Sequence, residues 1–298
     1  MKTADIVAAF LTAKRAGARR PTTVDWYVGI LRRLVELSPD WPQGPEVIEQ
    51  FLSSRDISDQ SRYSYWRALV HFGKWSSRRY EILNPTAGAE APRHRKKLPR
   101  TLSSPELGSL FLAAGEPRDR ALITLLVDTG VRISEALGLR VEDIGLDTIW
   151  VDGKTGMREV PISQETRRQL LELADSGYIF KGYGDRMSRQ GAHWIVRNAF
   201  RRAGITGKKC GPHTLRHTFG RQWIVNGGDL VSLQRILGHT NIQTTRIYAE
   251  LSLQDVLVQH AKYSPLSRAF GPIQGSLFPE AVRPTDRPAR ARDIPRGG

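Results

Sequence analysis

The chain has 298 residues, with 45 Lys and Arg against 30 Asp and Glu, and a formal charge of +15. That length fits two domains, and a 40% hydrophobic content excludes wholesale disorder. No apolar run reaches the ~18–20 residues of a membrane span, and the single cysteine, Cys210, excludes an internal disulfide framework or a cysteine metal cage. The balance predicts a soluble, intracellular (cytoplasmic) protein whose partner is a polyanion.

The positive charge is spread along the chain. Residues 1–88 carry 13 basic and 9 acidic side chains, residues 89–101 carry 5 and 1, residues 102–265 carry 21 and 17, and residues 266–298 carry 6 and 3. Density peaks at Arg93, Arg95, Lys96, Lys97 and Arg100, in a segment that also holds Pro92 and Pro99. This segment reads either as a solvated linker or as a strap along a phosphate backbone.

The first part reads as all helix. Helices are expected over about 4–15, from just after Pro21-Thr22-Thr23, over about 45–53, and from Asp59 to Ser76. The second places Trp26, Ile30, Leu31, Leu34 and Leu37 on one face. The fourth sets Tyr65, Leu69, Phe72 and Trp75 at helical spacing and also carries Arg62, Arg67 and Lys74. Those three cations suit a DNA groove, and equally the solvated side of an amphipathic core helix.

After the linker, Ser103 with Pro105 and Glu106 opens a helix, and an apolar helix from Asp119 ends at Thr129-Gly130. The runs Thr148–Val151 and Arg158–Ile162 flank Gly153-Lys154-Thr155-Gly156, which predicts a hairpin. Ser163 and Ser188 cap further helices, the second striped by Ala192, Ile195, Val196, Ala199, Phe200 and Ala203. Helices over about 213–226, 229–237 and 241–250 follow, and a flexible tail is expected from Ser264. The fold class is therefore mainly α with a small antiparallel sheet.

Four clusters in the second part carry chemistry: Thr129-Gly130-Val131-Arg132-Ile133-Ser134-Glu135, the hairpin Lys154, His213-Thr214-Leu215-Arg216-His217, and Leu237-Gly238-His239 with Tyr248 nine residues on. Taken singly, a surface arginine, a turn lysine and a half-buried tyrosine are ordinary. His213 and His217 have the i, i+4 spacing of zinc ligands, but the glutamate of H-E-x-x-H is replaced by Thr214, so no metal is expected.

Together, in this order, the clusters resemble the tyrosine recombinase (phage integrase) family over about residues 102–252, and the compact Xer-type members by their two-part plan. The resemblance implies a helical core-binding (SAM-like) DNA-binding domain over 1–88, a basic linker over 89–101, a catalytic domain over 102–263 and a tail over 264–298. It implies that Arg132 and Arg216 clamp the scissile phosphate, that Tyr248 is the nucleophile, and that His213 manages its proton. His239 would donate to the phosphate, and Lys154 would protonate the leaving 5′-hydroxyl. Glu135 would orient the cluster, and His217 would be structural or supporting.

Such a site cuts and rejoins DNA through a 3′-phosphotyrosyl link and a Holliday junction, without ATP, metal or other cofactor. The implied partners are double-stranded recombination sites and three further copies of the chain, with a second recombinase or accessory proteins left open. The role is either Xer-like dimer resolution or mobile-element integration and excision. The segment Leu251–Tyr263 is expected to pack into a neighbouring copy, the alternative being its own domain. Other readings are a type IB topoisomerase-like nicking-closing enzyme and a non-catalytic DNA-binding regulator on the same fold.

Overall fold

A computed structural model describes residues 1–265, except 19–20, 55, 94–97, 154–155, 183–184, 208 and 250–252. The chain divides into two units, Met1–Lys97 and Leu98–Gly298.

The first unit contains α1 (Thr3–Ala16), α2 (Pro21–Leu37), α3 (Glu46–Ser53) and α4 (Asp59–Tyr80). Phe10, Leu31, Leu34, Ile48, Phe51, Leu69 and Phe72 recur at helical spacing, and all are buried in one core. Each fully buried side chain of this kind stabilises the unit by about 1.5–3 kcal/mol. Phe10 sits at its centre, with edge-on contacts to Tyr27, Phe72 and Trp75 at 5.1–5.2 Å between ring centroids.

Two expectations for this unit change. Trp26 does not join the core of α2; it is 41% exposed, and Val24 is buried instead. Helix α4 continues past Ser76 to Tyr80 and closes on Glu81 in the left-handed region, at φ 56°. The polar run Ser76-Ser77-Arg78-Arg79 looks like a terminus, but Trp75 and Tyr80 stay packed against the core and hold that last turn.

The second unit is helical around one two-stranded antiparallel sheet. Its elements are α5 (Ser104–Ala113), α6 (Pro117–Thr129), α7 (Ile133–Gly138), β1 (Thr148–Gly153), β2 (Gly156–Pro161), α8 (Gln164–Leu173), α9 (Arg189–Arg202), α10 (Pro212–Val225), α11 (Leu230–Leu237), α12 (Ile242–Thr245) and α13 (Leu253–Tyr263). The hairpin pairs Thr148 with Pro161 and Gly153 with Gly156, as the Gly-flanked turn predicts. Start signals behave as read: Ser103 and Glu106 form a reciprocal capping box, while Ser163 and Ser188 accept backbone N–H groups at the starts of α8 and α9. The expected 241–250 helix is instead one turn of α12 followed by a 3₁₀ turn over Arg246–Tyr248. The tail from residue 266 lies outside the described residues.

Helix α13 packs on its own unit in this single chain. Asp255 pairs with Arg221, Gln259 Nε2 donates to the Ile224 carbonyl at 2.6 Å, and Lys262 Nζ donates to that of Asn226 at 3.2 Å. Among the described residues no helix is long and apolar enough to cross a membrane.

Candidate active site

Four segments of the second unit converge: the start of α7, strand β2, helix α10, and the stretch from the end of α11 to the 3₁₀ turn. Helix α6 ends on Gly130 at φ 62°, and a Cβ there would stand 2.5 Å from Phe219 and 2.9 Å from Leu237. Glycine is therefore required both by backbone and by space. The chain turns sharply at Gly130 and delivers Arg132 to the N-cap position of α7.

Glu135, one turn into α7, is 2% exposed and carries two arginines. It accepts from Arg132 Nη1 at 2.8 Å and from the Arg132 backbone N–H at 2.9 Å. Arg158 reaches across from β2 and donates to the same carboxylate from Nη2 at 2.8 Å and from Nη1 at 3.2 Å. Burial pushes this carboxyl up, but hydrogen bonds from Arg158 and Arg132 outweigh that, so it stays below its ordinary value and ionised.

Arg216, on α10, is 5% exposed. Its Nη1 donates to the Gly130 carbonyl at 2.5 Å, and its Nη2 donates to the Leu237 carbonyl at 2.8 Å and to His239 Nε2 at 2.9 Å. Burial, and then the neighbouring Arg132, bring its pKa down to about 10, so it keeps its charge at neutral pH.

His239 follows the left-handed Gly238 that ends α11, and its Nδ1 meets Thr245 Oγ1 at 2.8 Å. With Nε2 accepting from Arg216, the ring is neutral and carries its proton on Nδ1. Burial and the surrounding Arg216, Arg132 and Arg158 bring its pKa down to about 4. To donate to a phosphate, as expected of it, Nε2 must first gain a proton.

Tyr248 is 3% exposed and lies among Ile224, Leu233 and Leu237. Its ring presses on Gly220, where a Cβ would stand 2.8 Å from Cζ. Burial raises the phenol above its ordinary value, although Arg216 and Arg132 oppose the shift. The imidazole at its oxygen is that of His217, with Nδ1 2.9 Å from Oη. His217 is pushed down to about 4 by burial, then by His213, Arg216 and Lys209. His213, expected to manage this proton, lies one turn earlier on α10; burial first, then Arg216, His193, Arg132 and Arg189, lower its pKa.

The remaining expected positions divide. Lys154, Arg95, Lys96 and Lys97 lie outside the described residues. Arg62 is half-buried, donating from Nε to the Leu52 carbonyl at 3.1 Å and pairing with Asp59, which ties α4 to α3. Arg67 and Lys74 are exposed on α4, and Lys74 shares a cleft with His71, Trp75, Arg78 and Arg79. Sequence reasoning missed Arg158 altogether, and it read His217 as supporting. Among the described residues no three His, Cys, Asp or Glu side chains group as metal ligands.

The Phage integrase family model matches residues 101–254. A Thermodesulfovibrio yellowstonii protein, tyrosine recombinase XerC, is 30% identical over 75% of this chain and 83% of its own length. The tyrosine recombinase XerC of Xylella fastidiosa is 35% identical over 70% of this chain and 76% of its own length. Among solved structures, XerA recombinase is similar with a TM-score of 0.51 and 26% identity, covering 89% of this chain and 99% of XerA. The Tn1549 transposon integrase, in complex with a circular intermediate DNA, shares the fold with a TM-score of 0.73 at 17% identity, over 88% of this chain and 99% of that one.

Proposed function

Because this chain belongs to the phage integrase family and is a tyrosine-type site-specific recombinase of Xer-like kind, we propose that it cuts and rejoins duplex DNA through a 3′-phosphotyrosyl link to Tyr248. The observation that carries the proposal is the convergence of Arg132, Arg216 and His239 beside Tyr248, where Glu135 holds Arg132 and the Gly130 and Leu237 carbonyls hold Arg216.

A phosphodiester carries one negative charge and gains more as a fifth oxygen adds to phosphorus. Guanidinium donors aimed at its non-bridging oxygens bind the pentavalent state more strongly than the ground state, which lowers the barrier. Arg132, Arg158 and Arg216 face one carboxylate, Glu135, so the pocket keeps the positive excess that such charge development needs. The cationic groups of this chain supply the electrostatic stabilisation, and His213 borders them. Lys154, which follows Gly153 in the sequence, is assigned the proton for the leaving 5′-oxygen.

The phosphotyrosyl bond retains the energy of the bond it replaces. A 5′-hydroxyl from a second duplex can therefore reverse the attack, and two such exchanges pass through a Holliday junction. DNA is the partner, and four copies on two sites complete the assembly in this proposal. Relatives support it: XerH is similar in fold to this chain and was solved bound to a palindromic difH substrate as a post-cleavage complex. Exposed Arg67 and Lys74, with Arg95, Lys96 and Lys97, are assigned to phosphate contacts that set affinity but not rate.

The test is a duplex selected from a randomised library by covalent trapping, nicked near the cleavage position so that cleavage cannot reverse. Wild-type protein forms a denaturation-resistant adduct, and Tyr248→Phe forms none. An undiminished adduct with Tyr248→Phe refutes the assignment of the nucleophile.

A further inference from the structure

The assigned nucleophile is shut off from solvent. Tyr248 is 3% exposed, with its ring wedged against Gly220 and backed by Ile224, Leu233 and Leu237. A buried phenol must place its proton on an acceptor. Among the described residues the hydrogen-bond partner of Oη is His217 Nδ1, at 2.9 Å. With the imidazole protonated at Nε2, the Nδ1 lone pair receives the phenolic proton along that bond.

We propose that His217 is a catalytic residue, whose Nδ1 takes the phenolic proton of Tyr248 as Oη attacks the scissile phosphate and returns it on resealing. The inference rests on the recombinase chemistry proposed above. In the forward step a lone pair of Oη forms the Oη–P bond, and the O–H pair stays on oxygen as its proton passes to Nδ1. The P–O5′ bond breaks with its pair on the 5′-oxygen, which is protonated by Lys154. Religation reverses each transfer, so the dyad is restored without any other proton donor or acceptor.

The surroundings hold the dyad neutral. His213 on the same helix, Arg216, and Lys209 from the preceding loop all disfavour a charged His217, and burial disfavours it more. Burial also keeps the phenol protonated. A phosphodiester entering beside Arg216 and Arg132 reverses the electrostatic part of this, because its negative charge favours imidazolium. Bonding of Oη to phosphorus acidifies the phenolic proton at the same moment. The base is thus switched on by the substrate it serves, and the nucleophile is kept neutral until then.

The experiment measures single-turnover cleavage of the trapped, nicked duplex against pH with the full-length chain. The variants are His217→Asn, His217→Gln and His213→Asn, with DNA affinity and thermal melting as controls. Asparagine keeps an acceptor near the Nδ1 position but cannot take a proton. His217→Asn is expected to cleave at least tenfold slower with unchanged DNA affinity, and to lose the acid limb of the wild-type pH profile. If His217→Asn does not fold, His217→Gln gives the same reading. Cleavage within tenfold of wild type, or an acid limb kept in His217→Asn and removed by His213→Asn, overturns the proposal. If wild type forms no adduct, the recombinase chemistry falls and this proposal with it. If wild type forms the adduct and His217→Asn is unimpaired, this proposal alone falls.

Discussion

Glu135→Gln removes one charge and almost no volume from the most buried carboxylate of the site. Its two oxygens accept four hydrogen bonds: Arg132 Nη1 and Arg158 Nη1 on Oε1, and the Arg132 N–H and Arg158 Nη2 on Oε2. An amide keeps one oxygen and turns the other position into a donor facing donors. Breaking a buried ion pair costs about 3–5 kcal/mol. The lower end applies because Arg132 is 30% exposed and regains water, whereas Arg158 at 12% does not. About 3 kcal/mol in a unit of this size lowers Tm by roughly 6–12 °C.

Calorimetry of both proteins across pH checks the cause. The folded-state pKa of Glu135 lies below its ordinary value of 4.5. Its stabilisation is therefore full above about pH 4.5 and is lost as pH falls through the folded pKa. The gap between wild type and Glu135→Gln should hold steady at neutral pH and narrow in acid. Asp175→Asn, which breaks the exposed pair with Lys181, is the control and should shift Tm by no more than about 2 °C. A Tm change for Glu135→Gln as small as the control's, or a gap that stays constant into acid, refutes the reasoning.

Gly220→Ala places a methyl 2.8–2.9 Å from the Tyr248 ring. It should cost about 1–3 kcal/mol by overpacking and slow adduct formation more than it weakens DNA binding, as read by single-turnover cleavage beside a binding titration. Replacing Arg95, Lys96 and Lys97 together by Gln should lower the slope of log affinity against log salt by about 2–3 while leaving cleavage of saturated complex intact; an unchanged slope assigns the segment to linking alone. Arg158→Met should slow cleavage although Arg158 is not assigned to touch the phosphate, because Arg132 then shares Glu135 with nothing on the β2 side. Combining it with Glu135→Gln should cost less than the sum of the two, measured as a double-mutant cycle of Tm and rate.

The amphipathic helices, the Gly153–Gly156 turn and the serine caps were legible because each is a local signal, complete within a few residues. The order of Arg132, His213, Arg216, His239 and Tyr248 was legible through resemblance. Arg158 was not, because its meaning lies in partners far along the chain: Glu135 stands 23 residues before it and Ile236 stands 78 after. Within Arg158-Glu159-Val160-Pro161 it reads as one polar position of an ordinary strand. His217 was hidden differently. Its i, i+4 relation to His213 invites a metal reading, and once that fails nothing local connects it to a tyrosine 31 residues on. The miscast Trp26 shows the limit of periodicity, since a helix wide enough to offer two apolar stripes does not say which one is covered.

The C-terminal end of α11 has a further consequence. Its last carbonyls, Ile236 and Leu237, accept from Arg158 Nε at 2.9 Å and from Arg216 Nη2 at 2.8 Å. These are groups that a helix end leaves without intrahelical partners, and they carry the negative pole of the helix. Here they hold two guanidiniums in position, that of Arg216, assigned to the phosphate, and that of Arg158 behind it. An incoming strand then meets walls that are already set, and little ordering cost remains on the cationic side. In that proposal, what DNA must still change is the proton on His239 Nε2 and the burial of the Tyr248 oxygen.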